Sequence, residues 1–486
     1  MNQKETPLFG ALLRHVQRQP VQFHIPGHKK GRGMESSFHD FVGDNVLALD
    51  LINIAPLDDL HHPTGPIKYA QELAASAFGA DATFFSVQGT STAIMAMVLA
   101  TVGPGDKILV PRNVHKSVLT AIIMADAHPV FLHPEVDEVL GIAHGLSVET
   151  VEQGLIENPD VKALVVINPT YFGVSANLKE IVELAHARQI PVLVDEAHGV
   201  HTCFHEALPL SAMQAGADMA ATSVHKLGGS MTGSSVLNVK AGLIDPLHVQ
   251  VVMSMLTTTS TSYPLLASLD VARKELALHG RDRIEKALGL AAFIRNEVNQ
   301  IPGLYCFGKE ILRTSATYAF DPTKLTISVK DLGLKGYDVE HILREEYNIE
   351  VELSDLYNIL CIVSWGDDKE DAVCLVNALS KISKTYFGRL DKREVVVHVP
   401  SMPPLCMTPR QAFYAKTEVV PLCKAIGRTI AEMIMVYPPG IPILLPGEIV
   451  TKDNVDYIEE NIRAGLPVQG TDDPEIKNVK VVIQSN

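Results

Sequence analysis

Ser223-Val224-His225-Lys226-Leu227-Gly228-Gly229-Ser230 stands directly after the apolar, small-residue run Ala217-Asp218-Met219-Ala220-Ala221-Thr222. The run reads as a buried strand and the glycines as an exit, so Lys226 is expected at the mouth of a loop. Taken alone, a lysine is most often a solvated surface charge. Lys226 has hydroxyls and a histidine on one side, glycines on the other, and Asp195 closing an apolar strand 31 positions upstream (226 minus 195). That is the layout of a lysine holding an aldehyde cofactor as a Schiff base.

Working outward, strands at 83–87, 107–111, 129–132, 163–167 and 191–194 alternate with helices at 67–78, 92–101, 115–125, 147–157 and 178–188. Short apolar strands separated by such helices predict a mostly parallel α/β sheet covered on both faces. Ligands on such sheets bind beyond the strands' carboxyl ends, where the marked residues fall. Four segments follow: an N-terminal arm, 1–65, with a helix at 7–19; a large domain, 66–264; a smaller α+β domain, 265–392; and a C-terminal domain, 393–486. The smaller domain opens with a helix at 265–300 and carries strands near 324–328 and 359–363, with a helix at 336–347 between them. The last segment has its own helix at 409–415.

A chain of 486 residues is too long for one core. Its formal charge of −15 and the absence of a basic stripe remove the electrostatic footprint of a nucleic-acid binder. Six cysteines without a C-x-x-C pair read as reduced thiols, and the N-terminus has no signal-type apolar stretch. The apolar stretch 93–102 is about half a membrane span. The expectation is a soluble, cytoplasmic protein with no nucleic-acid or membrane partner.

Gln88-Gly89-Thr90-Ser91-Thr92 follows a strand and opens a helix, so backbone N–H groups, hydroxyls and the positive helix end converge as in a phosphate site. The same pattern alone is an ordinary N-cap. Pro191-Val192-Leu193-Val194-Asp195-Glu196-Ala197-His198 ends an apolar strand in an aspartate that calls for a cationic partner, such as a protonated pyridine nitrogen, or for backbone donors. His115 opens a helix and could lie over an aromatic ring or act as a cap. Lys116 and Lys30 are rival lysines, but neither follows a small-residue strand with a Gly-Gly exit. His198, His201, Cys203 and His205 mimic metal-ligand spacing without signs of a supporting shell, and no metal is expected. Asp195-Glu196-Ala197-His198 also matches a helicase DEAH box, and 303–309 is nearly a P-loop. Glu310, however, replaces the magnesium-binding hydroxyl, and the order of the two motifs is wrong for an ATPase.

Ser223-Val224-His225-Lys226, Asp195-Glu196-Ala197-His198, Arg112-Asn113-Val114-His115-Lys116-Ser117, Pro26-Gly27-His28-Lys29 and Tyr437-Pro438-Pro439-Gly440-Ile441-Pro442 together resemble the pyridoxal-phosphate-dependent Orn/Lys/Arg decarboxylases. These share the aspartate-aminotransferase fold, fold type I. The PGHK segment comes almost at once, so the N-terminal wing domain of the large family members is not expected. Compactness and the stretch Leu256-Thr257-Thr258-Thr259-Ser260-Thr261-Ser262-Tyr263 are similar to the biosynthetic arginine decarboxylases of Bacillus type.

The resemblance implies pyridoxal phosphate carried on Lys226, Asp195 facing its pyridine nitrogen, and His115 stacked on the ring. It places His198 near the ring and Gly89, Thr90, Ser91, Ser223 and His225 around the phosphate. It implies decarboxylation of arginine to agmatine and carbon dioxide, feeding spermidine synthesis, with lysine or ornithine as sibling substrates. A hydroxyl from 257–262 would reach a neighbouring subunit's cofactor, so a homodimer or larger homo-oligomer is expected. Glu352 matches an acidic family residue linked to the substrate side chain. Glu448 and Asp58 are the other acids weighed for the guanidinium, each with a surface or capping role as its plainer reading.

Overall fold

The computed structural model of the chain describes residues 1–390, 400–436, 440–463 and 466–483. The Tyr437-Pro438-Pro439 part of the fifth motif and the 392/393 boundary lie outside the described residues. The chain divides into two compact units, one of Met1–Thr101 with Val182–Arg283 and one of Val102–Ile181 with Ile284–Asn486. Among the described residues, no helix is long and apolar enough to cross a membrane.

In the first unit four strands lie side by side in the order Ala82–Ser86, Ser235–Val239, Met219–Thr222, Val192–Asp195. The last two are parallel, with Asp195 opposite Ala221. Met219–Thr222 is buried along its whole length, which is why its side chains are small and apolar. Helix Gly89–Leu99 is apolar on nearly every face and largely buried, as a helix pressed on a sheet must be. Helix Pro66–Phe78 starts with proline in its first turn and ends at Gly79 in the left-handed region, φ 74°.

Two elements here depart from the expectation. Strand Ser235–Val239 and helix Pro246–Leu256 were not anticipated, and the strand runs antiparallel to both of its neighbours. The polar Ser235 and Asn238 blur its apolar run, although both are buried and hydrogen-bonded in the sheet. The N-terminal arm is also more regular than read, holding short helices at Ser36–Val42 and Asp44–Leu49.

In the second unit Ala163–Ile167, Lys107–Pro111 and His128–Leu132 pair in parallel, in that order. An antiparallel sheet of Tyr305–Cys306, Lys324–Ser328, Asn358–Ile362 and Leu353–Ser354 follows, with helices Gly336–Tyr347 and Lys369–Tyr386. Its core, running from Ala287 to Ile382, is separate from a later one that gathers Leu422, Ile434, Ile458 and Val481. Helix Tyr263–Val298 leads into this unit.

Candidate active site

Lys226 sits on the one-turn helix Val224–Leu227 that follows strand Met219–Thr222, rather than on an open loop. Gly228 N donates to Val224 O at 2.7 Å and closes the turn. A Cβ on Gly228 would lie 2.6 Å from Val224 O, and Gly229 has φ 77°, so each glycine answers a different need. Lys226 Nζ lies 2.7 Å from His198 Nε2. Beside it His225 Nδ1 lies 2.8 Å from the carbonyl of Ser234, so that nitrogen is the donor.

Asp195 is buried at the end of its strand, and its Oδ1 accepts from Ala197 N at 3.1 Å. The next residue, Glu196, is also buried, with Oε1 accepting from Ala212 N at 2.6 Å and Oε2 from the Thr222 hydroxyl at 2.9 Å. The bonds continue across the sheet. Asn238 Nδ2 reaches Thr222 Oγ1 at 3.4 Å, and the Thr83 hydroxyl donates to Asn238 Oδ1 at 2.7 Å. Burial pushes the Glu196 carboxyl up to about 7, against its two hydrogen bonds and with help from the negative charge of Asp195. Glu196 therefore takes a proton more readily than an ordinary carboxyl group. Sequence reading treated Glu196 only as part of a motif.

The glycine turn before helix Gly89–Leu99 needs its glycine, since Gly89 has φ 77°. Gln88 stands at the N-cap without capping through its side chain, and its Oε1 instead accepts from Thr258 N at 2.7 Å. Gly89 N donates to Gly233 O at 2.8 Å, while the N–H groups that follow it in the first turn are not taken by a side-chain cap. Thr90 Oγ1 bonds Ser223 Oγ and also Ser235 Oγ, the latter at 2.7 Å. Ser91 follows Thr90 on the same helix. Uncapped N–H groups at a positive helix end and converging hydroxyls are the donor set a phosphate monoester requires, and a lysine with a histidine partner suits an aldehyde. The residues of this unit therefore fit pyridoxal phosphate. Ser235 escaped notice because its strand did.

His115 belongs to the second unit, where it is the N-cap of helix Lys116–Ala125. Its Nδ1 accepts from Ser117 N at 3.2 Å and bonds Ser117 Oγ at 2.7 Å. The three acids weighed for the substrate sit in very different places. Glu448 is buried against Arg112, whose Nη2 donates to Oε2 at 2.8 Å while Nη1 pairs with Oε1; Leu445 N also donates to Oε2, at 2.7 Å. Asp58 accepts from the backbone of Asp59, Thr64, Gly65 and Ile67 at 2.7–3.0 Å and so ties down the start of helix Pro66–Phe78. Glu352 is exposed, and the Tyr171 hydroxyl donates to its Oε1. Among the described residues no three His, Cys, Asp or Glu side chains are grouped to hold a metal ion.

Comparison with known proteins gives a consistent picture. The family model "Orn/Lys/Arg decarboxylase, major domain" matches residues 6–371, and that of the family's C-terminal domain matches residues 393–467. An arginine decarboxylase of Halalkalibacterium halodurans is 64% identical over 481 residues, covering 99% of this chain and 98% of the relative. One of Bacillus subtilis is 62% identical over 483 residues, covering 99% of each. Among solved structures, the Escherichia coli constitutive lysine decarboxylase superposes with a TM-score of 0.84 at 24% identity, over 99% of this chain and 82% of that one. At that identity the likeness speaks for the fold.

Proposed function

Because this chain belongs to the Orn/Lys/Arg decarboxylase family, we propose that Lys226, Asp195 and the hydroxyls around Thr90 are the machinery with which it decarboxylates L-arginine to agmatine and carbon dioxide. The enzyme is pyridoxal-phosphate-dependent, and its fold is that of fold type I. Agmatine is a polyamine precursor, which puts the reaction at the head of spermidine synthesis. High identity to arginine decarboxylases along the whole chain favours arginine over lysine or ornithine. The motif order and the missing magnesium ligand speak against the ATPase reading.

Pyridoxal phosphate, when bound, supplies the electron sink for the pair left behind by departing carbon dioxide. The chain's residues do the rest. Lys226 Nζ would hold the cofactor through its aldehyde, with His198 Nε2, 2.7 Å away, placed to take the proton that Lys226 would give up. Asp195 would supply a buried negative charge to a protonated ring nitrogen, while burial favours the neutral form of the neighbouring Glu196. Gly89, Thr90, Ser91, Ser223, Ser235 and His225 would hold the phosphate, the hydroxyls of Thr90, Ser223 and Ser235 being already gathered at one place. By the family resemblance His115 would stack on the ring, and Lys226 or His115 would return a proton to Cα. Glu352 receives the guanidinium. It is the exposed member of the three acids, whereas Glu448 and Asp58 already serve internal donors.

Arm residues Phe23 and Phe41, 96% and 90% exposed, support a homodimer or larger assembly in which residues of 257–262 reach a second copy. Six free cysteines support a reducing, cytoplasmic location.

The observation that carries the assignment is the Lys226–His198 pair set on the turn after a fully buried strand, with Asp195 on the adjacent one. Lys226→Ala is expected to abolish turnover and the visible absorbance of the bound cofactor. A variant that keeps both would remove Lys226 from its role.

A further inference from the structure

Strand Ala163–Ile167 ends in Asn168-Pro169-Thr170-Tyr171-Phe172-Gly173, a turn held on every side. Asn168 Oδ1 accepts from Ala176 N at 3.1 Å, Thr170 N donates to Val174 O at 2.8 Å, and Gly173 N donates to Thr170 O at 3.0 Å. The Thr170 hydroxyl oxygen accepts from Val174 N at 3.2 Å. Gly173 has φ +83°, and a Cβ there would fall 2.7 Å from Lys324 Cγ and 2.9 Å from Asp321 O, so the turn packs directly onto the antiparallel-sheet region. Asp321 N donates back to Gly173 O at 2.8 Å. Tyr171 is thus presented from a backbone with little freedom, and its hydroxyl donates to Glu352 Oε1. Glu352 is fixed in turn through its own N–H, which donates to Leu360 O at 2.9 Å beside strand Leu353–Ser354.

We propose that Tyr171 is a positioning residue for substrate recognition: by holding one oxygen of Glu352 it orients the carboxylate for a planar guanidinium, and so favours arginine over an amino acid ending in an ammonium. The proposal rests on the reading of Glu352 as the acid that receives the substrate side chain. A free glutamate on a surface samples many rotamers, and each must be given up when it binds. A single phenol bond removes much of that freedom while occupying one lone pair, which leaves acceptor positions for two parallel N–H donors. A guanidinium needs that defined plane. An ammonium is a point charge with three rotatable donors and tolerates a swinging carboxylate. Burial and the neighbouring carboxylate both push the Tyr171 phenol upward, so it stays a donor at working pH.

The test compares Tyr171→Phe, Glu352→Gln and the double variant as holoenzymes, by steady-state kinetics on arginine and by calorimetric titration with agmatine and with cadaverine. For Tyr171→Phe the KM for arginine is expected to rise about 3- to 10-fold with kcat nearly constant. Agmatine binding should weaken by a similar factor while cadaverine binding changes little. Glu352→Gln should raise the KM further, with no added effect of the phenylalanine in the double variant. Unchanged KM and agmatine binding in Tyr171→Phe, beside a raised KM in Glu352→Gln, would overturn this inference and leave Glu352 in place. Equal weakening of agmatine and cadaverine, or a fall in kcat alone, would also overturn it as a mark of a merely structural role. No effect of Glu352→Gln on arginine would bring down the reading of Glu352 itself.

Discussion

Glu448 and Glu352 are chemically the same side chain in the same unit, yet the fold uses them in opposite ways. Glu448 is 1% exposed and gives both oxygens to Arg112, which also donates to the carbonyls of Pro442 and Ile443. Glu352 stands at the surface beside a short strand, with the Tyr171 phenol on one oxygen. A carboxylate buried on a permanent cation is a structural part, because opening it to a substrate would strand a guanidinium in a dry site. A carboxylate that meets solvent can exchange water for a ligand. The position of a charge relative to solvent, more than its identity, therefore separates a brace from a receptor.

Removing each acid should make that difference measurable. Glu448→Ala leaves Arg112 buried without its counter-charge and Leu445 N without an acceptor, and is expected to cost about 3–5 kcal/mol in denaturant unfolding. A loss below about 1 kcal/mol would mean that the pair braces nothing. Glu196 falls between the two, being buried and held by neutral donors, Ala212 N and the Thr222 hydroxyl. Its folded pKa near 7 lies above the ordinary 4.5, so the folded state holds the proton more tightly than the unfolded chain does. Folding then loses stability as pH climbs from about 4.5 through about 7, and the full penalty, ~3 kcal/mol at most, is present above that window. Glu196→Gln carries no such term, so its unfolding free energy relative to the parent should rise between pH 4.5 and pH 8. A gap that does not change with pH would contradict the assignment. Glu352→Gln should be the mildest for folding, within about 0.5 kcal/mol of the parent, while it weakens arginine binding.

The same contrast explains what could be read from sequence. Strands Lys107–Pro111 and Ala163–Ile167 and helix Gly336–Tyr347 were read with the bounds they have, since apolar period and end signals are local. The residues proposed for the cofactor also carry a signal in the chain, because a buried polar cluster comes as a matched set that shows up as several motifs at strand ends. Strand Ser235–Val239 was not legible, since its buried Ser235 and Asn238 find their partners only across the sheet. Nor was the role of Glu448, whose partner Arg112 is 336 positions away. Tyr171 had no signal at all, because one phenol on one exposed acid leaves no pattern in the chain.

The most direct measurement is product analysis of the purified holoenzyme incubated separately with L-arginine, L-lysine and L-ornithine. The expected result is agmatine and carbon dioxide in equal amounts from arginine, with cadaverine and putrescine far slower or absent. Cadaverine or putrescine formed at a rate equal to or above that of agmatine would contradict the account.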